Sequence, residues 1–191
     1  MLSCDPGEAN SAYAVLEHKN GAALRLLEVG MVSPRTTIRN MTSASRVDKR
    51  DGLLIITPAL DENLSNFLSA FDGLLRKHQP KRVVLERFMV RRLHTASIET
   101  VSFMNGALLA LAQTQHKANV RAMPASEWKA SFNKVEDLDE FYEEIEAKHG
   151  FQPHVVDAVS IGLFDITPHG EAFPVNRLRA LLSSATVQTL H

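Results

Sequence analysis

Residues 1–32 read MLSCDPGEANSAYAVLEHKNGAALRLLEVGMV, and this stretch decides the fold class. Three apolar runs, Met1 to Cys4, Ser11 to Glu17 and Leu24 to Val32, are separated by Asp5-Pro6-Gly7 and by Asn20-Gly21. Both separators are turn formers, because glycine and asparagine accept positive φ and proline presets the first corner of a turn. Three strands in succession on tight connections give an antiparallel meander.

Downstream the period changes from two to 3.6. Leu60, Leu64, Phe67, Leu68, Phe71, Leu74 and Leu75 recur at helical spacing, and Lys77 and His78 suit the negative end of a helix dipole, so a helix is predicted over Pro58 to His78. Pro80 ends it. Val83-Val84-Leu85 then make a short buried strand with Glu86 at its C-terminal tip. Ser97 to His116 is helical and apolar around nearly its whole circumference, which calls for burial on more than one side. One side can pack on a sheet. The other meets either the rest of the same domain or a second subunit, to which Gly106, Ala107 and Ala110 allow close approach.

Val120 to Met123 reads as a strand, Ala125 to Phe132 as a short helix, Asp137 to Lys148 as an acidic helix ending at Gly150, and His154 to Phe164 as a further helix. A meander followed by strand–helix alternation is an α/β fold: a mixed sheet, antiparallel then parallel, flanked by helices. Thr36 to Thr57 is polar and aperiodic apart from Leu53 to Ile56, and reads as a mobile loop or an insertion. The organisation expected is one domain over 1–168 and a C-terminal extension over 169–191.

Composition narrows the classes. A chain of 191 residues with 45% hydrophobic residues can bury a sizeable core. One cysteine excludes a disulfide framework and a cysteine-rich zinc site. No apolar run approaches the roughly 20 residues that span a bilayer, and Met1 to Asn10 lacks the features of a secretory signal or a transit peptide, so a soluble intracellular protein with no membrane partner is expected. The 21 Lys and Arg balance 22 Asp and Glu, yet unevenly. Arg76, Lys77, Lys81, Arg82, Arg87, Arg91 and Arg92 form a basic run broken only by Glu86, while Glu136 to Glu146 holds seven acids and no base. These read as one basic and one acidic surface.

Asp5 follows the first strand, Glu86 ends another, and His154 and Asp157 are three apart at a helix start, so they share a face. Each has an ordinary reading: Asp5 as a turn former, Glu86 as a solvated strand end, Asp157 as a complement to the helix dipole. Together they suggest more, because open sheets gather their sites at strand ends. Carboxylates in one place repel by about 4 kcal/mol per pair at about 4 Å and an effective dielectric near 20, and a cation relieves this. Oxygen-rich sites suit magnesium or manganese, and two such ions can drive phosphodiester hydrolysis. His154 can add a fourth ligand or act as a base or proton carrier.

Asp5-Pro6-Gly7, with the strand Ser11 to Val15 after it, resembles the opening motif of the RuvC-type Holliday-junction resolvases, whose fold is ribonuclease-H-like. Val83 to Met89, followed by Ala96-Ser97 and Asn105-Gly106, is similar to their second catalytic strand and next helix. Val120 to Lys129 resembles the following strand and a helix bearing a lysine, and His154 to Val159 resembles the closing motif. The likeness runs in order over Met1 to Phe164.

The resemblance implies that Asp5, Glu86, His154 and Asp157 are the metal-binding catalytic residues, with two Mg2+ ions per site for which Mn2+ substitutes. It implies that Phe88 is an aromatic that helps open base pairs at the junction. Arg87, Arg91 and Arg92 would lie beside the scissile phosphate, with Lys129 and Lys134 as further DNA contacts. The expected function is a homodimeric, structure-selective endonuclease that nicks four-way junctions and related branched DNA in pairs. Two alternatives are an actin-like or sugar-kinase-type nucleotide-binding protein, for which 191 residues leave little room for two lobes, and a non-cleaving branched-DNA-binding module.

Overall fold

The structure, a computed structural model, describes residues 1–7, 11–18, 24–32, 48–50, 53–55, 58–87 and 95–190; for 48–50, 53–55, 58–63, 95–100, 187 and 189 it describes the backbone alone. The first three strands, β1 (Leu2–Asp5), β2 (Ser11–Glu17) and β3 (Arg25–Val32), form the expected antiparallel meander, with Cys4 opposite Tyr13 and Tyr13 opposite Gly30. Within the stretch read as a loop or insertion, β4 (Asp48–Arg50) and β5 (Leu53–Ile55) pair antiparallel, and 36–47 lies outside the described residues.

Helix α1 (Pro58–His78) has the predicted bounds. β6 (Arg82–Arg87) runs parallel to β1, and β7 (Asn119–Pro124) runs parallel to β6, reached through α2 (Thr95–Thr114). Then come α3 (Ala125–Phe132), α4 (Leu138–His149), α5 (Pro153–Ile166), α6 (Val175–Ser183) and β8 (Val187–Leu190). Among the described residues, the main sheet has six strands in the order β7-β6-β1-β2-β3-β8.

The alternation of a strand's side chains sends the two faces of β2 into two cores. Tyr13 and Val15 join Leu2, Cys4, Phe71, Leu75 and Leu108 beneath α1 and α2. Ala12, Ala14 and Leu16 join Trp128, Phe132, Phe141, Val159 and Leu178 beneath the helices from α3 to α6. The sheet is thus covered on both faces, which explains why β2 is buried at every position but its last.

α5 positions the site. Every residue in it from Val155 to Leu163 is buried, and its Pro153 occupies the first turn, where a missing N–H costs nothing. Ser3 Oγ on β1 donates to Ala158 O at 2.7 Å, tying the helix to the strand one residue beyond Asp157. Gly162 allows the contact to close: a Cβ there would stand 2.5 Å from Leu16 Cδ1 and 2.7 Å from Ser3 Oγ.

Two expectations about surfaces change. The basic run is not one surface, because β6 runs through it. Arg82 opens that strand and Arg87 closes it, about 16 Å apart at strand rise. Arg76, Lys77 and Arg82 are held by Asp72, Glu28 and Asp165 respectively, so charges adjacent in sequence are dispersed by the fold. The acids of α4 and the residues before it are not one open acidic surface either. Asp139, Glu140 and Glu143 are exposed, but Glu136 and Glu144 are bound by Arg179 of α6, whose guanidinium lies 4.8 Å above the Phe141 ring.

The segment beyond 168 supplies both α6, through buried Val175, Leu178, Leu181 and Leu182, and the edge strand β8, parallel to β3. Gly30 lets β8 approach, since a Cβ there would stand 2.1 Å from Gln188 O. Among the described residues, no helix is long and apolar enough to cross a membrane.

Candidate metal centre

β1 and β6 are parallel neighbours, so their C-terminal ends coincide. The last registered pair is Cys4 with Leu85, and one step further stand Asp5 and Glu86. α5 lies across the same end and brings Asp157 from its first turns. One carboxylate oxygen from each of Asp5, Glu86 and Asp157 falls within 4.8 Å of the others. Asp5 and Asp157 are 7% and 6% exposed, and ionised carboxylates are rarely buried so deeply without a partner.

His154 attaches to this group through one member: its Nδ1 is 2.6 Å from Asp5 Oδ2. That hydrogen bond outweighs partial burial and raises the His154 pKa above its ordinary value. The imidazole therefore stands beside Asp5, with its second nitrogen uncommitted among the described contacts.

Two carboxylates are unsettled. Burial first, then the charge of Asp5, pushes Glu86 up to about 7, against the pull of Trp128 and Lys129. Burial and Asp5 likewise push Asp157 up to about 6, against Lys129 and Tyr142. Lys129 supplies a positive charge inside the group: its Nζ is 3.0 Å from Asp157 Oδ2. Burial opposes that charge, but Asp157 keeps the ammonium above its usual range. One lysine facing three carboxylates leaves an excess of negative charge, and the three carboxylates offer hard oxygen donors, which fits a hard divalent cation.

A consequence for stability follows with a definite sign. Between about pH 4 and 7 the folded chain holds protons on Glu86 and Asp157 that the unfolded chain releases, so metal-free stability falls as pH rises through that window. The expected loss from pH 5 to 8 is about 2 kcal/mol, or about 4–8 °C in the melting midpoint for a chain of this size. Millimolar Mg2+ will reduce it, and so will Glu86→Gln. Thermal unfolding at the two pH values measures both effects, and a fall of equal size in Glu86→Gln without metal would refute the assignment of the fall to Glu86.

Three further groups complete the surroundings: Trp128 and Tyr142, to which sequence reading assigns no role, and Asn105, which it names only within a motif. Trp128, fully buried on α3, donates its indole N–H to Glu86 Oε2 at 3.0 Å. Tyr142 on α4 donates its hydroxyl to Asp157 Oδ1. Asn105 on α2 donates to the backbone oxygen of Glu86 at 3.4 Å, and its own side-chain oxygen has no partner among the described residues. Of the residues expected to contact DNA, Arg87 is exposed one position beyond Glu86, and Lys129 is in the group. Lys134 lines a separate cleft with Arg121, Asp165 and His169. Phe88, Arg91 and Arg92 lie outside the described residues.

The mixed sheet, with its three-stranded meander and two parallel strands beside it, shares its fold with solved structures of Holliday junction resolvases. Among solved structures, Thermus thermophilus RuvC in complex with a Holliday junction substrate matches with a TM-score of 0.58 at 18% identity, over 84% of this chain and 90% of that one. A further T. thermophilus RuvC structure matches at 0.56 with 19% identity over the same shares. The yeast mitochondrial Holliday junction resolvase matches at 0.51 with 13% identity, over 95% of this chain and 81% of that one. No family model and no curated protein sequence matches the chain.

Proposed function

We propose that this protein is a divalent-metal-dependent, structure-selective endodeoxyribonuclease that resolves Holliday junctions and related branched DNA by paired nicks. The observation that carries the reading is the closure of Asp5, Glu86 and Asp157 within 4.8 Å at the ends of two parallel strands. The fold likeness to a RuvC structure holding a Holliday junction substrate supports the choice of substrate class.

Asp5, Glu86 and Asp157 would hold two Mg2+ ions, or Mn2+ in their place, with His154 as a further ligand or proton carrier beside Asp5. When bound, such a pair activates a water and stabilises the leaving oxygen of a phosphodiester. The protein's own part is to arrange charge. Trp128 and Asn105 hold Glu86, and Lys129 offers an ammonium able to turn from Asp157 to a phosphate oxygen once cations neutralise the carboxylates. Exposed Arg87, beside Glu86, would fix the DNA backbone without reading its sequence, and Phe88, Arg91 and Arg92 follow it in the chain.

Paired nicking needs two sites related by the junction's approximate two-fold symmetry, and a C2 homodimer supplies them. α2 offers the surface. Val101, Met104, Leu108 and Ala112 face the core, while Phe103, 37% exposed, lies with Gly106 and Ala110 on the open side. Mixing wild type with excess Asp157→Asn tests dimer and mechanism together on a plasmid carrying an extruded cruciform. Wild type should linearise it, and mixed dimers should leave it singly nicked. Full linearisation in proportion to the remaining wild-type chain, with no rise in nicked circles, would contradict paired action.

A further inference from the structure

We propose that Tyr142 is a positioning residue that holds the Asp157 carboxylate in its cation-binding orientation, and that α6 keeps it in place through Arg179. The inference rests on the metal-site reading above and adds to it a device built from two elements outside the sheet.

Asp157 is held from two sides. Its Oδ2 accepts from Lys129 on α3 at 3.0 Å, and its Oδ1 accepts from the Tyr142 hydroxyl on α4. An aspartate carboxylate turns about a broad, nearly two-fold torsion, so one donor leaves its plane loosely defined. Two donors on different helices define it. Lys129 is also the group whose charge competes with incoming cations, and it would move when they bind. Tyr142 is an uncharged phenol, and its hydroxyl donates to Asp157 Oδ1. It can stay in place as cations arrive.

The position of Tyr142 is itself determined. α4 begins where the Asp137 side chain accepts from the backbone N–H groups of Asp139 and Glu140, and it ends at Gly150 with φ +69°. Phe141, next to Tyr142, packs edge-on against Phe132 at 5.1 Å. Arg179 then grips both sides of that turn. Its guanidinium reaches Glu136 before the helix and Glu144, two residues past Tyr142, and covers the Phe141 ring between them. A bidentate fork on two carboxylates over an aromatic face is geometry that lysine does not reproduce. The segment beyond 168, which sequence reading leaves as an extension, thereby supports the metal centre.

Direct counting of free Mn2+ by electron paramagnetic resonance tests this in the absence of DNA. Tyr142→Phe removes one oxygen and keeps the packing, and should raise the Mn2+ dissociation constant about 10-fold or more, the range typical of lost support for a metal ligand. Junction nicking by this variant should need correspondingly more Mn2+ and return to within about threefold of wild type at saturation, a shift in metal requirement rather than in maximal rate. Arg179→Lys should move Mn2+ affinity the same way by a smaller factor and serves as the second variant. Unchanged Mn2+ affinity in both variants, with wild type binding normally, overturns the proposal and leaves the metal site standing. Wild type that binds no Mn2+ overturns both.

Discussion

Asp5→Asn should lower the rate of junction nicking by at least about 10³-fold, equivalent to about 4 kcal/mol of barrier, while junction affinity stays within about threefold. Asp5 is the member of the group that the others respond to. It binds His154, and its charge contributes to raising both Glu86 and Asp157. Its replacement keeps the shape of the strand end and removes the charge that two cations would share. The same argument gives the variant a second property. With one carboxylate fewer, the metal-free protein should be more stable than wild type at pH 8, because Glu86 and Asp157 no longer face it. A site that costs stability when empty of charge partners and is required for activity is a functional site. Single-turnover nicking and thermal unfolding, read together, separate this from structural damage: an Asp5→Asn chain that is both inactive and less stable would indicate that Asp5 mainly supports the turn at Pro6-Gly7.

Trp128→Ala carries the largest expected effect on folding. The indole is fully buried between the sheet and the α3–α6 layer, and truncation of such a residue costs about 3–5 kcal/mol, or about 10 °C or more in midpoint. Trp128→Phe keeps most of the volume and deletes the N–H that Glu86 Oε2 accepts. It should cost about 1–3 kcal/mol, and its metal-dependent nicking should shift toward higher pH, since Glu86 loses a donor that favours its charged form. The chain has one tryptophan, so wild-type emission reports on this site alone and should change on Mn2+ addition. A pH profile of Trp128→Phe superimposable on wild type would show that the indole serves packing only.

How far the sequence carries can be judged at particular residues. α1 and α3 were legible to their bounds because local signals, apolar spacing and for α1 the breaker Pro80, agree with the tertiary outcome. Asp5, Glu86 and Asp157 were legible because a charge placed where an apolar run stops sits at a strand end or a helix start, and such ends meet in an open sheet. Trp128 and Tyr142 were not, because their significance lies in what their polar tips reach, Glu86 42 positions and Asp157 15 positions away in the chain. The available signal for Trp128 was general: a buried indole N–H requires an acceptor. α6 had a readable pattern in Val175, Leu178, Leu181 and Leu182, whereas β8 is defined by its pairing with β3, which four residues do not announce. The basic run misled because adjacency in sequence is not adjacency in space when a strand of about 16 Å intervenes.

The most direct test of the central claim is cleavage of a labelled synthetic four-way junction beside a matched linear duplex, in Mg2+, Mn2+ or EDTA. Wild type should nick the junction in symmetric pairs in either metal, spare the duplex and do nothing in EDTA, and Asp157→Asn should bind the junction without cutting it. Equal cleavage of junction and duplex, cleavage that persists in EDTA, or full activity in folded Asp157→Asn would contradict the account.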